Sequence, residues 1–474
     1  MIEKAKQIAN EISSCDSVKI VSHIDADGIT SASIAFKVLK RADIKTEVKF
    51  VKQLDVSQIE NLKKSFNQDM IWFTDLGSGQ LKDLEGLNCV ITDHHEPQGE
   101  IDSVPLEKRG NILNYHQTSI LELNPHRFGL DGAKEISGAG TTYLVARAMD
   151  SRNIDLSKLA VVGAVGDLQA SEENRLIGKN REILMEGIEA GKVKKRIDTT
   201  LYGIESRPLP KLLEYASDPL LPGLTGDESA CTNFLVENEI TLKEDGKWRT
   251  WIDLSKEEKR KILSALADRM LDRGFPPDYV DSLVGEVYTF PEDEEGSILH
   301  EAKEFSTLLN SCGRYKKGNI GLKVCLGDRE KYLKKAKSLL KGHQKILVDC
   351  LDHVESTGVE ERDMIQFFHG ENEIPDTVIG TVAGMVLNSG DVDRGLPIFA
   401  FAESEEREGI KVSSRGTKQL VDNGLDLSSV MSECSKKVGG EGGGHDIAAG
   451  ALIPYDKEEE FLDEVERMVK TQLR

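Results

Sequence analysis

Aromatic side chains and long apolar runs are scarce in this sequence. Phenylalanine, tryptophan and tyrosine make up 5% of the 474 residues, so extensive stacking on nucleic-acid bases is not evident. No apolar run approaches the roughly 20 residues that a helix needs to span a bilayer. The first residues, Met1–Cys15, form an amphipathic pattern without the apolar core and cleavage site of a signal peptide. We therefore expect no membrane association and a cytoplasmic location.

Closely spaced cysteines and an excess of positive charge are also absent. The seven cysteines are an odd count, and no two of them form a C-x-x-C pair. Reduced thiols are therefore expected, rather than a disulfide framework or a zinc site. The formal net charge of −21 argues against a general nucleic-acid binder, which usually carries a basic face. Net charge does not exclude a local basic groove, and carboxylates that bind divalent cations are partly neutralised by them.

An alternation of strand and helix patterns is present from the N-terminus to about residue 170. Helical periodicity at Ile29–Leu39 lies between the first two of several short β-branched runs. These strand candidates are Val18–Val21, Val48–Val51, Ile71–Thr74 and Val90–Thr92. The alternation is the βαβ pattern of a parallel sheet, in which ligand sites lie at the carboxyl ends of the strands.

The remainder of the chain is predicted to form further parts. Prolines followed by charged helical stretches such as Ser255–Arg273 indicate an inserted helical module. Strand candidates then return at Ile346–Val348, Met364–Phe368, Ile398–Phe401 and Ile410–Ser413. The length favours two or three domains. We predict an α/β protein with a parallel-sheet domain at 1–195, the helical module at 196–300, connecting helices at 301–342 and an α/β domain at 343–474.

Acidic and histidine side chains follow four strand-like runs. In the first segment, His23, Asp25 and Asp27 alternate after a strand, so their side chains would share one face of an extended backbone. The other segments are Asp75 after Ile71–Thr74, Asp93-His94-His95 after Cys89–Thr92, and Asp167 after Val161–Gly166. Four such segments at the ends of apolar runs favour one shared site.

Imidazole and carboxylate groups in this combination suit divalent cations. A mixed nitrogen and oxygen set favours Mn²⁺, with Mg²⁺ as the alternative, over metals that prefer thiolates. A carboxylate shared by two cations would hold them about 3.5–4 Å apart, which suits in-line displacement at phosphorus. Each segment alone has a plainer explanation. Asp27 before Gly28 also fits an Asp-rich turn with a helix cap, and a single acid such as Asp75 or Asp167 is more often a cap or a surface group.

In their order along the chain, the four segments resemble the motifs of the DHH phosphoesterases. The stretch Gly442-Gly443-Gly444-His445 resembles the glycine-rich motif of the accessory DHHA1 domain. Glu304–Arg314 and Val438–Ala451 are similar to RecJ-like nucleases of the archaeal, GINS-associated type. The resemblance extends over nearly the whole chain, and the module at about 195–300 would correspond to the insertion domain of that family.

The resemblance implies a role for each motif residue. The residues implied for one cation are His23, Asp25 and Asp75. Those implied for the other are Asp27, Asp75, His94 and Asp167, so that Asp75 bridges. A water between the cations would be the nucleophile. His95 would face the scissile phosphate and stabilise the charge that develops on it, and Asp93 would orient a neighbouring histidine.

Substrate contacts are predicted mainly in the C-terminal part. Glycine permits the close approach that lets backbone amides meet a phosphate, which favours Gly442, Gly443 and Gly444 as anion contacts, with His445 as a further donor. A plain flexible loop is the alternative. By resemblance Arg415 contacts a phosphate or nucleotide, unless it is simply solvated.

Three further features lie in the N-terminal and middle parts. Arg314 and the lysines of Lys331–Lys341 could line a groove for a nucleic-acid backbone, although a solvated helix face is commoner for such lysines. Ser137–Thr141 opens a helix whose N-terminus favours an anion. His126 could approach the metal site, although a loop histidine without that role is the commoner case.

The leading functional hypothesis is a metal-dependent exonuclease acting on single-stranded DNA or RNA in replication or repair. One alternative is a small-substrate hydrolase of the same superfamily, acting on short oligoribonucleotides or phosphorylated adenosine nucleotides. Such hydrolases are typically shorter and lack the insertion, so the chain length favours the nuclease. Another alternative is a replisome scaffold. Relatives of that kind have lost ligands, whereas every matched position is filled here; a GINS-type partner could coexist with catalysis.

Overall fold

The structure is a computed structural model of the chain and describes residues 1–65, 67–99, 120–171, 173–216, 219–388, 392–404 and 407–473. Contacts between residues divide the chain into two compact units. The first unit comprises Met1–Arg207, Thr250–Asp253 and Asp281–Leu340. The second unit comprises Pro208–Arg249, Leu254–Val280 and Lys341–Arg474.

Helices and strands alternate through the described residues. The strands are β1 (Ser17–His23), β2 (Lys45–Val51), β3 (Met70–Thr74), β4 (Cys89–Thr92), β5 (Ile120–Leu123), β6 (Lys194–Thr199), β7 (Lys243–Glu244), β8 (Lys247–Trp248), β9 (Val284–Thr289), β10 (Glu360–Glu361), β11 (Gln366–His369), β12 (Ile398–Glu403), β13 (Ile410–Arg415), β14 (Glu441–Gly444) and β15 (Ala448–Ile453). The helices are α1 (Ile2–Ser13), α2 (Ala26–Arg41), α3 (Val56–Ser65), α4 (Gly138–Met149), α5 (Ser157–Gly166), α6 (Gly178–Glu189), α7 (Leu209–Glu214), α8 (Glu228–Glu237), α9 (Lys256–Asp272), α10 (Pro277–Asp281), α11 (Ala302–Arg314), α12 (Gly318–Cys325), α13 (Lys331–Thr357), α14 (Ile379–Asn388), α15 (Lys418–Asp422), α16 (Leu427–Lys437) and α17 (Glu458–Gln472).

The first unit is built on a five-stranded parallel sheet with strand order β2-β1-β3-β4-β5. β3 and β4 are buried along their whole length, as expected of central strands covered on both faces. Successive side chains alternate, so Trp72 packs with residues of α1 and α2 while Phe73 packs with residues of α3. Because the strands are parallel, the segments that follow β1, β3 and β4 meet at one edge of the sheet.

A second core of the first unit joins α2, α4, α5, α6 and α11. The run Val161–Gly166, which the sequence suggests is strand-like, is the end of α5, and that expectation is wrong. Residues of α5 are buried on every side because other helices surround it, so no polar face reveals a helical period. Asp167 therefore follows a helix.

The insertion begins and ends at a pair of antiparallel strands, β6 and β9. Between them lie the helices α7 to α10 and the short β7–β8 hairpin. Most of this segment belongs to the second unit. The predicted boundaries at 195, 300 and 342 stay predictions.

The second unit contains a six-stranded mixed sheet with strand order β10-β11-β12-β13-β15-β14. α16 and α17 cover one face, and α14 and the end of α13 cover the other. The predicted strand Ile346–Val348 is wrong, because these residues lie within α13. Leu347, Leu351 and Val354 recur at helical spacing against the core, and a short apolar run does not distinguish a strand from a buried helix.

The predicted fold class is confirmed. The chain has an N-terminal parallel sheet, an insertion that is mainly helical and a C-terminal α/β part with a mixed sheet. Among the described residues, no helix combines the length and the apolar character needed to cross a bilayer.

Candidate metal centre

A first group of ligand atoms forms where β1 ends and α2 begins. His23 is the last residue of β1, and Asp25 caps α2 by accepting a hydrogen bond from the Gly28 N–H at 2.9 Å. His23 Nδ1 lies 2.9 Å from Asp25 Oδ2 and 3.6 Å from Asp75 Oδ2. His23, Asp25 and Asp75 can therefore each offer one atom to a single cation.

Asp27 lies in the first turn of α2, so the extended face expected for the three alternating residues is wrong. Its carboxylate accepts hydrogen bonds from two amides at the start of α4, those of Gly138 at 2.6 Å and Ala139 at 3.0 Å. The N-terminus of α4 does attract an anion, as the sequence indicates, but the anion is a carboxylate of the protein itself. These hydrogen bonds hold the Asp27 carboxylate close to His94 and Asp167.

Asp75 follows β3 in the left-handed conformation, with φ of +58°. It is 1% exposed. Its Oδ1 lies 3.2 Å from His94 Nε2, while its Oδ2 faces His23. Within the described residues, neither oxygen has a hydrogen-bond partner. Burial of a carboxylate in this state is costly unless a cation completes its coordination. Its position between two imidazoles is the one that a bridging ligand requires.

His94 forms a second group with Asp27 and Asp167. His94 Nε2 lies 3.7 Å from Asp27 Oδ2 and 3.6 Å from Asp167 Oδ2. The other ring nitrogen, Nδ1, donates to the Gly132 carbonyl oxygen at 2.7 Å. This contact leaves the lone pair on Nε2, which is the usual arrangement for a histidine that binds metal. Nε2 itself is buried and has no hydrogen-bond partner in the described part of the chain.

The electrostatics of these groups fit bound cations. Burial, followed by the charges of Asp75 and Asp167, raises the pKa of Asp27 well above its usual value. Burial raises the pKa of Asp167 to about 6, against the opposing effect of His94. Burial would lower the pKa of His23, but the neighbouring carboxylates of Asp25 and Asp75 raise it to about 11. Without cations the site retains protons, and divalent ions that bind to these imidazole nitrogens and carboxylate oxygens would displace them.

Asp93 fixes His95 rather than facing the ligand groups. Its Oδ1 lies 2.8 Å from His95 Nδ1, and its Oδ2 accepts the Ser78 N–H at 2.9 Å. Asn124 donates to Ser78 Oγ and to the His95 carbonyl oxygen at 2.9 and 2.8 Å. The hydrogen bond to Asp93, against burial, raises the pKa of His95. The side chain is 57% exposed, so its far ring nitrogen is accessible. His95 also lies within coordination range of Asp75 and His94.

Two other predicted residues border this edge of the first unit. His126 Nε2 lies 3.1 Å from the His94 carbonyl oxygen, so it contacts the backbone beside the ligands. Arg314 is exposed at the end of α11. The preceding Gly313 packs against the loop after β1, since a Cβ there would lie 2.2 Å from the Ile24 carbonyl oxygen. α11 therefore supports the loop that carries the first ligand group.

The predicted substrate residues of the second unit converge at one end of its sheet. Arg415 is the last residue of β13 and is paired with Ala448 of β15. The Ala448 carbonyl oxygen accepts the His445 N–H at 2.9 Å. Gly442–Gly444 lies in the edge strand β14, paired with β15, so a plain loop is the wrong description. A Cβ on Gly443 would meet open space, which leaves this part of the edge accessible.

Several buried polar residues near the ligands belong to no motif in the sequence. They are Ser78, Asn124, Gln169 and Asn180. Ser78 holds Asp93, and Asn124 holds Ser78 and the backbone of His95. Gln169 holds Asp167, and Asn180 holds Gln169. Gln169 lies two residues after Asp167, but its burial is evident only in the folded chain.

Comparison with known proteins assigns three domains along the chain. Residues 17–165 match the DHH family, N-terminal domain; residues 201–284 match the DHH-CID domain; and residues 364–471 match the DHHA1 domain. "Uncharacterized protein MJ0831" of Methanocaldococcus jannaschii is 31% identical over 461 residues, which cover 96% of this chain and 94% of that protein. The chain belongs to the DHH/DHHA1 phosphoesterase superfamily.

Within the DHH/DHHA1 superfamily the chain is RecJ-like. The single-stranded-DNA-specific exonuclease RecJ of Bacillus subtilis is 28% identical over 189 residues, covering 37% of this chain and 22% of that protein. The structure of Thermus thermophilus RecJ with Mn²⁺ has a TM-score of 0.58 at 16% identity, covering 99% of this chain and 55% of that one. The structure of Entamoeba histolytica CDC45 has a TM-score of 0.66 at 11% identity and covers 99% of each chain. At these identities the two structures show a shared fold.

Proposed function

We propose that this protein is an exonuclease that hydrolyses phosphodiester bonds of single-stranded nucleic acid with two divalent cations. The observation that carries the proposal is a set of buried ligand atoms without hydrogen-bond partners among the described residues. These atoms are His23 Nδ1, both carboxylate oxygens of Asp75 and His94 Nε2. Two imidazoles among carboxylates suit Mn²⁺ better than Mg²⁺. RecJ of Thermus thermophilus has been crystallised with Mn²⁺ and with Mg²⁺, which supports one or the other of these two ions as the metal of this site.

The ligand groups divide between two cations. His23, Asp25 and Asp75 would hold one of them. Asp27, Asp75, His94 and Asp167 would hold the other. Cations bound there would neutralise charge on the phosphoryl oxygens and lower the pKa of an attacking water. Asp75, whose two oxygens face the two imidazoles, would bridge.

Other residues of the chain would act on the substrate. His95, held by Asp93, would donate a hydrogen bond to the scissile phosphate as its charge grows. In the second unit, Arg415, His445 and the amides of Gly442–Gly444 would bind substrate phosphates. Arg314 would add positive charge beside the metal loop.

Two alternative functions and one additional partner can be tested against this proposal. A small-substrate hydrolase would use the same ligand groups, so substrate length decides between it and the nuclease. A purely scaffolding role is disfavoured by the complete ligand set. Association with a GINS-type replication partner stays a prediction that co-purification would test.

The test compares wild-type protein with Asp75→Asn on a long end-labelled single strand and on substrates of two to five nucleotides, with Mn²⁺ present. Asparagine tolerates the left-handed backbone and keeps the size of the side chain, but it replaces one carboxylate oxygen with an uncharged amide nitrogen that cannot bind a cation. The matched control is Asp43→Asn, an exposed aspartate with φ of +59°. We expect the wild type and the control to degrade the long strand and Asp75→Asn to be inactive. Activity confined to the short substrates, or retained by Asp75→Asn, would contradict the proposal.

A further inference from the structure

Two buried side-chain amides lie next to the second ligand group. Gln169 is 5% exposed and Asn180 is 3% exposed. Gln169 follows Asp167 by two residues, just beyond the end of α5, and Asn180 lies in the first turn of α6. Asn180 Nδ2 donates to Gln169 Oε1 at 2.5 Å, so the two amides form one unit. Neither residue belongs to a motif that the proposed function uses.

Gln169 holds two of the three ligands in the group Asp27, His94 and Asp167. Its Nε2 donates to Asp167 Oδ2 at 2.8 Å and to the Gly132 carbonyl oxygen at 2.8 Å. That same carbonyl oxygen accepts the Nδ1 proton of His94 at 2.7 Å. Both hydrogens of the amide nitrogen are therefore used, one on a ligand and one on the group that orients another ligand.

Asn180 extends the connection toward the third ligand. Its Oδ1 lies 3.4 Å from the Ser137 N–H, which donates to it. Ser137 is the N-cap of α4. The next two amides of that helix, on Gly138 and Ala139, are the ones that bind the Asp27 carboxylate. Asn180 thus contacts the same helix start that fixes Asp27.

The first ligand group has separate supports. Asp25 is held by the Gly28 amide, and the Asp75 backbone N–H donates to the Thr92 carbonyl oxygen at 2.8 Å. Within the described ranges, no hydrogen bond joins Gln169 or Asn180 to His23, Asp25 or Asp75. The amide pair is therefore associated with one of the two groups alone.

We propose that Gln169 and Asn180 are positioning residues that set the affinity for the cation held by Asp27, His94, Asp167 and the shared Asp75, and leave unaffected the other cation, whose ligands His23 and Asp25 they do not contact. This inference rests on the proposed two-cation function. Residues that orient metal ligands in this way typically contribute about 10–100-fold in metal affinity. An amide also suits this position because Gln169 can donate to Asp167 without adding a further negative charge beside the ligands Asp27 and Asp167.

The test is a Mn²⁺ titration of substrate-free Gln169→Met by calorimetry and by electron paramagnetic resonance. Methionine approximates the volume and removes the amide. We expect one site of wild-type affinity and one site weakened about 10–100-fold. The spin-coupled signal of a Mn²⁺ pair should need correspondingly more Mn²⁺ to form. Turnover should recover toward the wild-type kcat at high Mn²⁺.

The matched control is Gln366→Met in the second unit. Gln366 is fully buried and donates both amide hydrogens to carbonyl oxygens, of Asp393 at 2.6 Å and Leu396 at 2.9 Å. It should leave both Mn²⁺ affinities unchanged. Asn180→Ala removes the amide that supports Gln169 and should weaken the same Mn²⁺ site as Gln169→Met. It takes the place of Gln169→Met in the experiment if Gln169→Met does not fold.

The outcomes separate the two proposals. If wild-type protein binds fewer than two Mn²⁺ ions, the proposed function itself fails. If wild type binds two but the variants weaken both sites equally, or neither, the positioning role is overturned. A wild-type affinity at the unaffected site shows in the same titration that the variant is folded.

Discussion

Gly138→Ala probes how tightly the proposed bridging ligand is positioned. Gly138 is the first residue of α4, where alanine is normally preferred and would stabilise the helix by up to about 1 kcal/mol. Here a Cβ would lie 2.5 Å from Asp75 Oδ1, 2.7 Å from Asp75 Cβ and 2.9 Å from Asp75 Cα. Ordinary contacts begin at 3.4 Å, so the carboxylate or the helix must move by about 0.9 Å. Because Asp75 follows a buried strand and is held at its backbone, its side chain has little room to yield.

A displacement of about 1 Å in a catalytic group can cost about 100-fold in rate, or about 2.7 kcal/mol of transition-state stabilisation. We therefore expect kcat/KM on an end-labelled single strand with Mn²⁺ to fall by about two orders of magnitude in Gly138→Ala. The control is Gly79→Ala, where a Cβ meets nothing within 4 Å, and it should stay within about twofold of wild type. A folded Gly138→Ala protein that kept wild-type activity would refute the close packing of this helix against Asp75.

Two further predictions concern a buried acid and the exposed histidine. Glu301 caps α11 and is 4% exposed, and burial followed by the charge of Glu304 raises its pKa from 4.5 to about 7. Since the folded protein holds this proton more tightly than the unfolded chain, the stabilisation is complete below about pH 4.5 and is lost as pH rises to about 7. In urea unfolding, Glu301→Gln should therefore gain stability relative to wild type by about 3 kcal/mol between about pH 4 and pH 8; a difference independent of pH would contradict the shift. His95→Asn keeps a donor for Asp93 but loses the far ring nitrogen, so kcat should fall about 100–1,000-fold with Mn²⁺ affinity unchanged. Weaker Mn²⁺ binding would instead make His95 a ligand.

The positions of the ligands could be predicted where they follow strands. β1, β3 and β4 are rich in β-branched or aromatic residues, and β3 and β4 are buried along their whole length, so the presence of these strands is evident in the sequence. Parallel strands end at one edge, which brings His23, Asp75 and His94 together without any knowledge of the loops. The prediction of Asp167 from the sequence pattern rests on a strand-like run that is in fact a helix buried on every side, so only the resemblance supports it without that error.

Other features depend on contacts between distant residues. Gln169 and Asn180 are ordinary polar residues in the sequence, and only the packing of α5 against α6 buries them beside the ligands. Gly442–Gly444 forms an edge strand although glycine disfavours strands, because β15 supplies the hydrogen-bonding partner. The direction of the Asp27 side chain depends on the residue at which α2 begins. The alternation of His23, Asp25 and Asp27 in the sequence does not reveal that α2 begins at Ala26.

The central claim is that two divalent cations share Asp75. The direct measurement is anomalous scattering at the manganese edge from crystals grown with Mn²⁺. We expect two peaks about 3.5–4 Å apart on either side of the Asp75 carboxylate. One peak should lie among His23 and Asp25, and the other among Asp27, His94 and Asp167. A single peak, no peak, or peaks away from Asp75 would contradict the account.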